Sequence, residues 1–341
     1  MKILYAIQGT GNGHLSRAKE IVPALRSRVE VDILISGTQA DIELPFDVKY
    51  KYKGLSFIFG KKGGVDICKT IISNSLRSVF SEIQECPVQD YDLVINDFEP
   101  ISAWACKLKT VNCISLSHQS ALLSDLVPHP NSKDFIGTLL LKYYAPSIQN
   151  FGFHFKKYDS SMYLPIIRKA IRSLKVTKEN HYTVYLPAYS DAKIISVLSE
   201  IRDVNWEVFS KHSKSNYKKK NVDIIPIESG SFEKSIAACK GVVCGAGFET
   251  PAEALFLKKK LLVIPMKGQL EQHFNAASLQ DIGVEVLKKL KKKNIFKIKK
   301  WLKHGKVVDV VYPDRTQLIV DAVLSKYIIA TELSNKLLHE I

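Results

Sequence analysis

The chain has 341 residues, long for one domain and ample for two, with 46% hydrophobic and 24% charged residues. Those proportions exclude a disordered or low-complexity chain and allow large buried cores. Lysine and arginine outnumber aspartate and glutamate 49 to 34, a formal charge of +15 that calls for an anionic partner: nucleic acid, an anionic membrane surface or a phosphorylated substrate.

No apolar run approaches the roughly 18 residues that a membrane-spanning helix needs. "MKILYAI" reads as a first strand and not a secretory leader, because glycines follow it with no small-residue cleavage site. Six cysteines, at 68, 86, 106, 113, 239 and 244, form no CxxC pair and no metal spacing with histidine. Free thiols in a reducing cytoplasm are the simplest reading.

Strands are predicted at 2–7 and 29–36, with helical spacing between them over 14–28, the span of one βαβ unit. Further strands are predicted at 48–57, 92–98 and 112–118, with a helix over 68–86. The rhythm restarts after a connection within 157–181. Strands then fall at 182–187, 205–210, 222–227, 241–245 and 261–265, with helices between, the first over 190–202. Residues 315–338 read as one or two amphipathic helices with no strand after them. The fold class is therefore α/β, with two domains of similar size, 1–170 and 171–315, and closing helices over 316–341.

The first strand runs into "QGTGNGHLSRA". Gly9, Gly11 and Gly13 form a strand-to-helix turn whose backbone N–H groups can approach an anion closely. No G-K-[ST] follows, which excludes a Walker A loop. A dinucleotide fingerprint is poor, since Ser16 stands at the last glycine and the second strand ends "LISGT" without an acid for a ribose. His14 is the unusual residue. An imidazole at a helix N-terminus is disfavoured as a cation, which suits a base.

A second constellation spans 244–283. Gly245-Ala246-Gly247 ends a strand, and Thr250-Pro251 opens a helix. Glu253 there either completes a T-x-x-E capping box or takes a ribose diol beside a diphosphate held on the helix N-terminus. Gln269, Glu271, Gln272 and Asn275 follow the next strand at the sheet's C-terminal edge, where carboxylates and amides can grip sugar hydroxyls.

"GFETPAEAL…KKLLVIPMKGQLEQHFNAASLQDIG" resembles the donor half of GT-B glycosyltransferases, the inverting nucleotide-sugar enzymes related to the peptidoglycan-precursor N-acetylglucosaminyltransferase. "GTGNGHLSRA" resembles that family's N-terminal loop, and the likeness covers nearly the whole chain. It implies two facing Rossmann-like domains with C-terminal helices crossing back to the first. Position by position, it puts the donor diphosphate at Gly245, Ala246 and Gly247 near Thr250, with Glu253 on the ribose. Gln269, Glu271 and Gln272 would lie on the sugar, and Ile227, Ser231 and Phe232 at the base. The family's second glycine turn is replaced here by "LPAYSDAK", so Ala188, Tyr189 and Ser190 are weaker phosphate contacts. Gly13 and His14 would face the donor from the other wall.

An inverting transfer needs a base, and the candidates are His14 first, then Asp97, Glu99 and His118. Helix N-termini and backbone donors would stabilise the leaving diphosphate, with no metal and no cofactor beyond the donor, a UDP-sugar foremost. The resemblance thus implies a glycosyltransferase with a carbohydrate or lipid-linked acceptor, cytoplasmic and able to sit at the inner membrane face. Nucleic acid is not an expected partner. Two alternatives stay open: an epimerase or hydrolase on the same fold, and a basic membrane- or nucleic-acid-binding protein resting on the lysine runs at 211–220 and 287–306. In the second run, Leu290, Ile295, Ile298 and Trp301 would lie either on a membrane or on the donor domain.

Overall fold

A computed structural model describes residues 1–37, 44–55, 76–130, 134–227 and 231–339. The first half holds β1 (Lys2–Gln8), α1 (Asn12–Arg26), β2 (Glu30–Ser36), β3 (Tyr50–Tyr52), α2 (Leu76–Glu85), β4 (Leu93–Asp97), α3 (Pro100–Lys109), β5 (Cys113–Ser117), α4 (His118–Ala121), α5 (Phe135–Tyr143), β6 (Gln149–Phe153) and β7 (Met162–Tyr163). Its strands form one sheet, ordered β3-β2-β1-β4-β5-β6-β7, with every pairing parallel. Helices cover both faces, so β1, β4 and β5 are buried almost throughout, and their apolar runs do not alternate.

The second half repeats the plan with α6 (Lys169–Arg172), β8 (Tyr182–Tyr185), α7 (Asp191–Leu198), β9 (Trp206–Ser210), β10 (Tyr217–Lys219), β11 (Val222–Pro226), α8 (Ser231–Ala238), β12 (Gly241–Gly245), α9 (Glu249–Phe256), β13 (Lys260–Ile264), α10 (Leu270–Asp281) and β14 (Glu285–Val286). The sheet order is β10-β11-β9-β8-β12-β13-β14, parallel except for the β10–β11 hairpin. α11 (Ile295–His304) and α12 (Thr316–His339) follow.

α12 is one continuous helix and returns to the first half. Ile319, Val320, Val323 and Leu324 are buried in the core that α1 shares. Arg28 forks onto Asp321 at 2.8 and 3.1 Å, and Tyr327 donates to the Asp92 carbonyl at 2.6 Å.

The strands the sequence pattern does not reveal are β6, β7, β10 and β14. Three of them are two or three residues long, too short for a period to register. β6 carries Gly152, where a Cβ would lie 2.5 Å from the Ala121 backbone, so the strand's pattern is broken by a packing need. β10 falls inside the basic run 211–220 and is exposed along its length, an edge strand guarded by lysine. Part of the helix expected over 68–86, and the end of the strand expected over 48–57, lie outside the described residues. Leu290, Ile298 and Trp301 belong to the second core, which removes them as a membrane-facing set; Ile295 is half-buried against it.

Candidate active site

The C-terminal ends of β1, β4 and β5 face the second half of the chain and carry its most polar buried residues. At the first turn, a Cβ on Gly9 would meet Ile35 Cγ2 at 2.8 Å and the Gly37 carbonyl at 2.9 Å. Glycine alone lets the turn close onto β2, where the Gly9 N–H donates to the Ser36 carbonyl at 2.6 Å. α1 then begins without a side-chain cap, and His14 and Arg17, one turn apart, point the same way.

Both meet Asp97, the last residue of β4. His14 Nδ1 lies 2.9 Å from Asp97 Oδ1, and Arg17 donates to both carboxylate oxygens, Nε at 3.1 Å and Nη2 at 2.8 and 2.9 Å. Arg17 Nη2 also lies 3.3 Å from His14 Nδ1. The arginine can only donate, so the shorter charged contact decides the tautomer: Nδ1–H donates to Asp97 and Nε2 keeps its lone pair. Nε2 makes no hydrogen bond among the described residues. Burial alone would raise the Asp97 carboxyl, but Arg17 and then His14 hold it below the ordinary aspartate range.

Arg17 also crosses to the second half, where Nη1 donates to Glu249 Oε1 at 2.5 Å. Glu249 opens α9, directly after the Gly245-Ala246-Gly247 turn, and a Cβ on Gly13 would meet its Cγ at 3.2 Å. Burial pushes Glu249 up to about 7, with Arg17 pulling the other way and Glu253 and Asp97 adding to the rise. The Cβ positions of Gly11 and Gly247 have no atom within 4 Å. The two glycine turns thus approach each other with open backbone between them.

α10 supplies the rest of the interface through one stripe, residues 271, 274, 275, 278 and 281, spaced as one helix face. Gln119 donates to Glu271 at 3.0 Å, and Phe274 packs in a cluster with Ala121, Leu122, Val127 and Met162. Asn275 Oδ1 lies 2.7 Å from His118 Nε2, His154 Nε2 lies 2.9 Å from Ser278 Oγ, and Tyr158 donates to Asp281 at 3.0 Å. Asn275 also donates to the Ala246 carbonyl at 3.0 Å, tying the stripe to the glycine turn.

The expected residues therefore separate. His14 and Asp97 come together. Glu99 is fully buried as the N-cap of α3, accepting from Ile101 N at 2.6 Å, Ser102 N at 2.7 Å and Ser36 Oγ at 2.5 Å. His118 is 1% exposed, with Nδ1 on the Phe153 carbonyl at 2.7 Å and its ring stacked 3.9 Å from Phe248; burial lowers its pKa. Neither has a free atom for proton transfer in this closed arrangement.

In the second half, Gly245, Ala246 and Gly247 end β12, while Ala188 and Ser190 follow β8, Ile227 follows β11, and Gln269, Glu271 and Gln272 follow β13, all on one sheet edge. Gln272 accepts from Met266 N at 2.9 Å and donates to Gln269 at 2.6 Å. Phe232 sits against Tyr185 and Phe209, ring centroids 5.3 and 5.1 Å away; Ser190 caps α7 through Lys193 N at 3.4 Å; and Tyr189 accepts from Leu290 N at 3.2 Å.

The capping box at Thr250 does not form. α9 starts at Glu249 with Phe248 as its cap, so Thr250 lies inside the first turn. The Glu253 carboxylate turns instead to Arg168, whose Nε and Nη2 hold it at 2.6 and 3.0 Å while Nη1 reaches Glu233 at 2.5 Å. Arg17, Glu249 and Arg168 were missed in the sequence. Arg17 could have been found as the residue three beyond His14 on the same helix face. Arg168 meets its partners across 65 and 85 residues and leaves no local signal. Among the described residues no group of three His, Cys, Asp or Glu side chains could hold a metal ion, and no helix is long and apolar enough to cross a membrane.

Residues 1–304 match the family model described as glycosyl transferase family 1. No curated protein matches the sequence. Among solved structures, Acinetobacter baumannii MurG is 13% identical with a TM-score of 0.59, covering 95% of this chain and 99% of that one. Phytolacca americana UGT2, complexed with UDP-2fluoro-glucose and pterostilbene, is 14% identical with a TM-score of 0.58, over 94% and 93%. A UDP-N-acetylglucosamine 2-epimerase is 11% identical with a TM-score of 0.55, over 96% of each chain. The fold is GT-B, two parallel α/β sheets facing each other.

Proposed function

The chain belongs to glycosyl transferase family 1 and is a glycosyltransferase; we propose that it moves a hexose or N-acetylhexosamine from a nucleoside-diphosphate sugar to an acceptor hydroxyl of a cell-envelope glycan or glycolipid, with inversion and without a metal. Residues 1–170 are the acceptor unit in this reading, 171–315 the donor unit and 316–341 the closing segment, which α12 occupies over Thr316–His339. The UDP-2fluoro-glucose held by the Phytolacca protein on the same fold supports a UDP-sugar as first candidate donor. The proposed setting is the cytoplasm, at the inner membrane face.

The observation that carries the reading is the His14–Asp97 pair, 2.9 Å long, set at the first glycine turn and sharing Arg17, which reaches Glu249 just past the second. His14 Nε2 takes the proton from the acceptor O–H. That oxygen attacks the anomeric carbon from the side opposite the diphosphate, the sugar–phosphate C–O bond breaks, and the leaving diphosphate keeps the electron pair. Asp97 fixes the tautomer and stabilises the imidazolium as it forms, the division of labour of a base and its orienting carboxylate. Backbone N–H groups at Gly245, Ala246 and Gly247, with the N-terminus of α9, meet the growing phosphate charge.

The proposed sugar ligands are Gln269, Glu271 and Gln272, with Ile227 and Phe232 near the base, and Glu253 takes a ribose only by exchanging its bonds to Arg168. A thermal-shift series with UDP-, GDP- and dTDP-sugars tests the donor assignment; no shift with any of them refutes it. Conversion of a UDP-sugar in the absence of any acceptor would instead favour an epimerase or hydrolase.

A further inference from the structure

α11 is held on the second sheet by Ile298 and Trp301, 1% and 2% exposed, with Trp301 edge-on to Tyr182 at 5.5 Å. Its opposite side follows from helix geometry. At 100° per residue, Phe296 falls at the centre of the outward face, with Lys299, Lys300 and Lys303 around it. Phe296 is 63% exposed. Ten lysines and no acid stand between Leu287 and Lys306, and every one of those lysines is exposed. Among the described residues only Lys292 of the ten is ion-paired, to Glu200 at 3.2 Å.

We propose that this face docks the protein on an anionic lipid bilayer, with the lysine ammonium groups among the headgroup phosphates and the Phe296 ring in the interface. An exposed phenyl ring costs free energy in water, and at the centre of a cationic face it is relieved where headgroups and acyl chains meet at the same depth. The lysine stems reach past the ring, so charge and apolar contact are made together. Nucleic acid fits the surface less well. The run contains no arginine to fork onto phosphates or guanine edges, and the outer face of a single helix offers no groove for a strand. The inference rests on the inner-membrane setting proposed above and gives it a surface, while its test is separable from the transferase chemistry, since none of these residues belongs to the proposed donor or acceptor site.

The test is co-sedimentation of the full chain with vesicles of phosphatidylcholine alone and of phosphatidylcholine mixed with phosphatidylglycerol. Binding to the anionic vesicles only, falling as salt is raised, is the expected result. The triple variant Lys299→Gln, Lys300→Gln, Lys303→Gln should weaken it roughly a hundredfold, from three lost lysine–surface attractions. Phe296→Ser should weaken it severalfold while leaving the salt dependence in place, and both variants should bind UDP-sugar as the parent does. Equal binding to both vesicle types, no binding to either, or an unaffected triple variant would overturn the proposal. So would release from anionic vesicles by polyuridine that the protein binds more tightly than the lipid.

Discussion

Arg17 Nη1 reaches Glu249 Oε1 at 2.5 Å, joining the first helix of one half to the glycine turn of the other, while the rest of the guanidinium holds Asp97. Arg17 is 3% exposed and Asp97 fully buried, so the pair cannot be rescued by water when one partner is removed. Arg17→Met should therefore lower the unfolding free energy by about 3–5 kcal/mol, the usual result of stranding a buried charge. Arg17→Lys should recover little of it, because a point charge cannot span Asp97 and Glu249 together. Urea unfolding of the three proteins measures this, and an unchanged midpoint in Arg17→Met would refute the account.

Glu249 sets a pH dependence of definite sign. Burial raises its pKa from 4.5 to about 7, so the folded state favours the neutral acid relative to the unfolded chain. The resulting stability is complete below about pH 4.5 and is lost as pH rises through about 7. Glu249→Gln stays neutral throughout and should flatten that part of the profile. Denaturation midpoints at a series of pH values for both proteins report the difference; parallel profiles would show that Glu249 does not contribute.

Much of this was legible in the sequence, for identifiable reasons. β1, β4 and β12 are continuous apolar runs because parallel strands are buried on both faces, and each ends where a polar residue or glycine marks the sheet's C-terminal edge. His14 was visible because it follows three glycines. The roles of Glu99 and His118 were not, since both depend on packing: Glu99 turns back to cap its own helix, and His118 meets Asn275 across 157 residues. Glu253 shows the same limit. A capping box is a local pattern, but Arg168 supplies two charge-assisted hydrogen bonds to that carboxylate, stronger than those of a neutral cap.

His14 and Asp97 make a kinetic prediction. His14→Ala should lower kcat by about 10²–10⁴-fold, the worth of a positioned general base, with little change in the donor dissociation constant. Asp97→Asn should also lower kcat, because the imidazolium loses its compensating carboxylate. Single-turnover rates with a saturating UDP-sugar and acceptor separate these effects from binding. An His14→Ala enzyme with parental kcat would remove His14 as the base.

Asn275 reaches both sides of the interface, its Oδ1 2.7 Å from His118 Nε2 and its Nδ2 donating to the Ala246 carbonyl. Asn275→Ala leaves that buried carbonyl and a ring nitrogen without partners, at about 1–3 kcal/mol each. The turn it holds is the proposed diphosphate site, so donor KM should rise more than kcat falls. A stability loss with an unchanged KM would limit Asn275 to a packing role.

Two glycines in the first turn should respond oppositely to alanine. At Gly9 the new methyl would meet Ile35 Cγ2 at 2.8 Å and the carbonyls of Gly37 and Ser36 at 2.9 and 3.0 Å, two of the three being backbone that cannot swing aside. Gly9→Ala should cost about 1–3 kcal/mol as overpacking and lower Tm. At Gly13, inside α1, the only atoms nearby belong to the Glu249 side chain, at 3.2 and 3.8 Å. A flexible carboxylate can yield, and alanine gains up to about 1 kcal/mol of helix propensity over glycine. Gly13→Ala should leave Tm unchanged or raised, while the displaced Glu249 loosens its hold on Arg17 and alters donor KM. Melting curves and donor titrations on the two variants decide the matter: equal losses of Tm would mean that the turn has no such asymmetry.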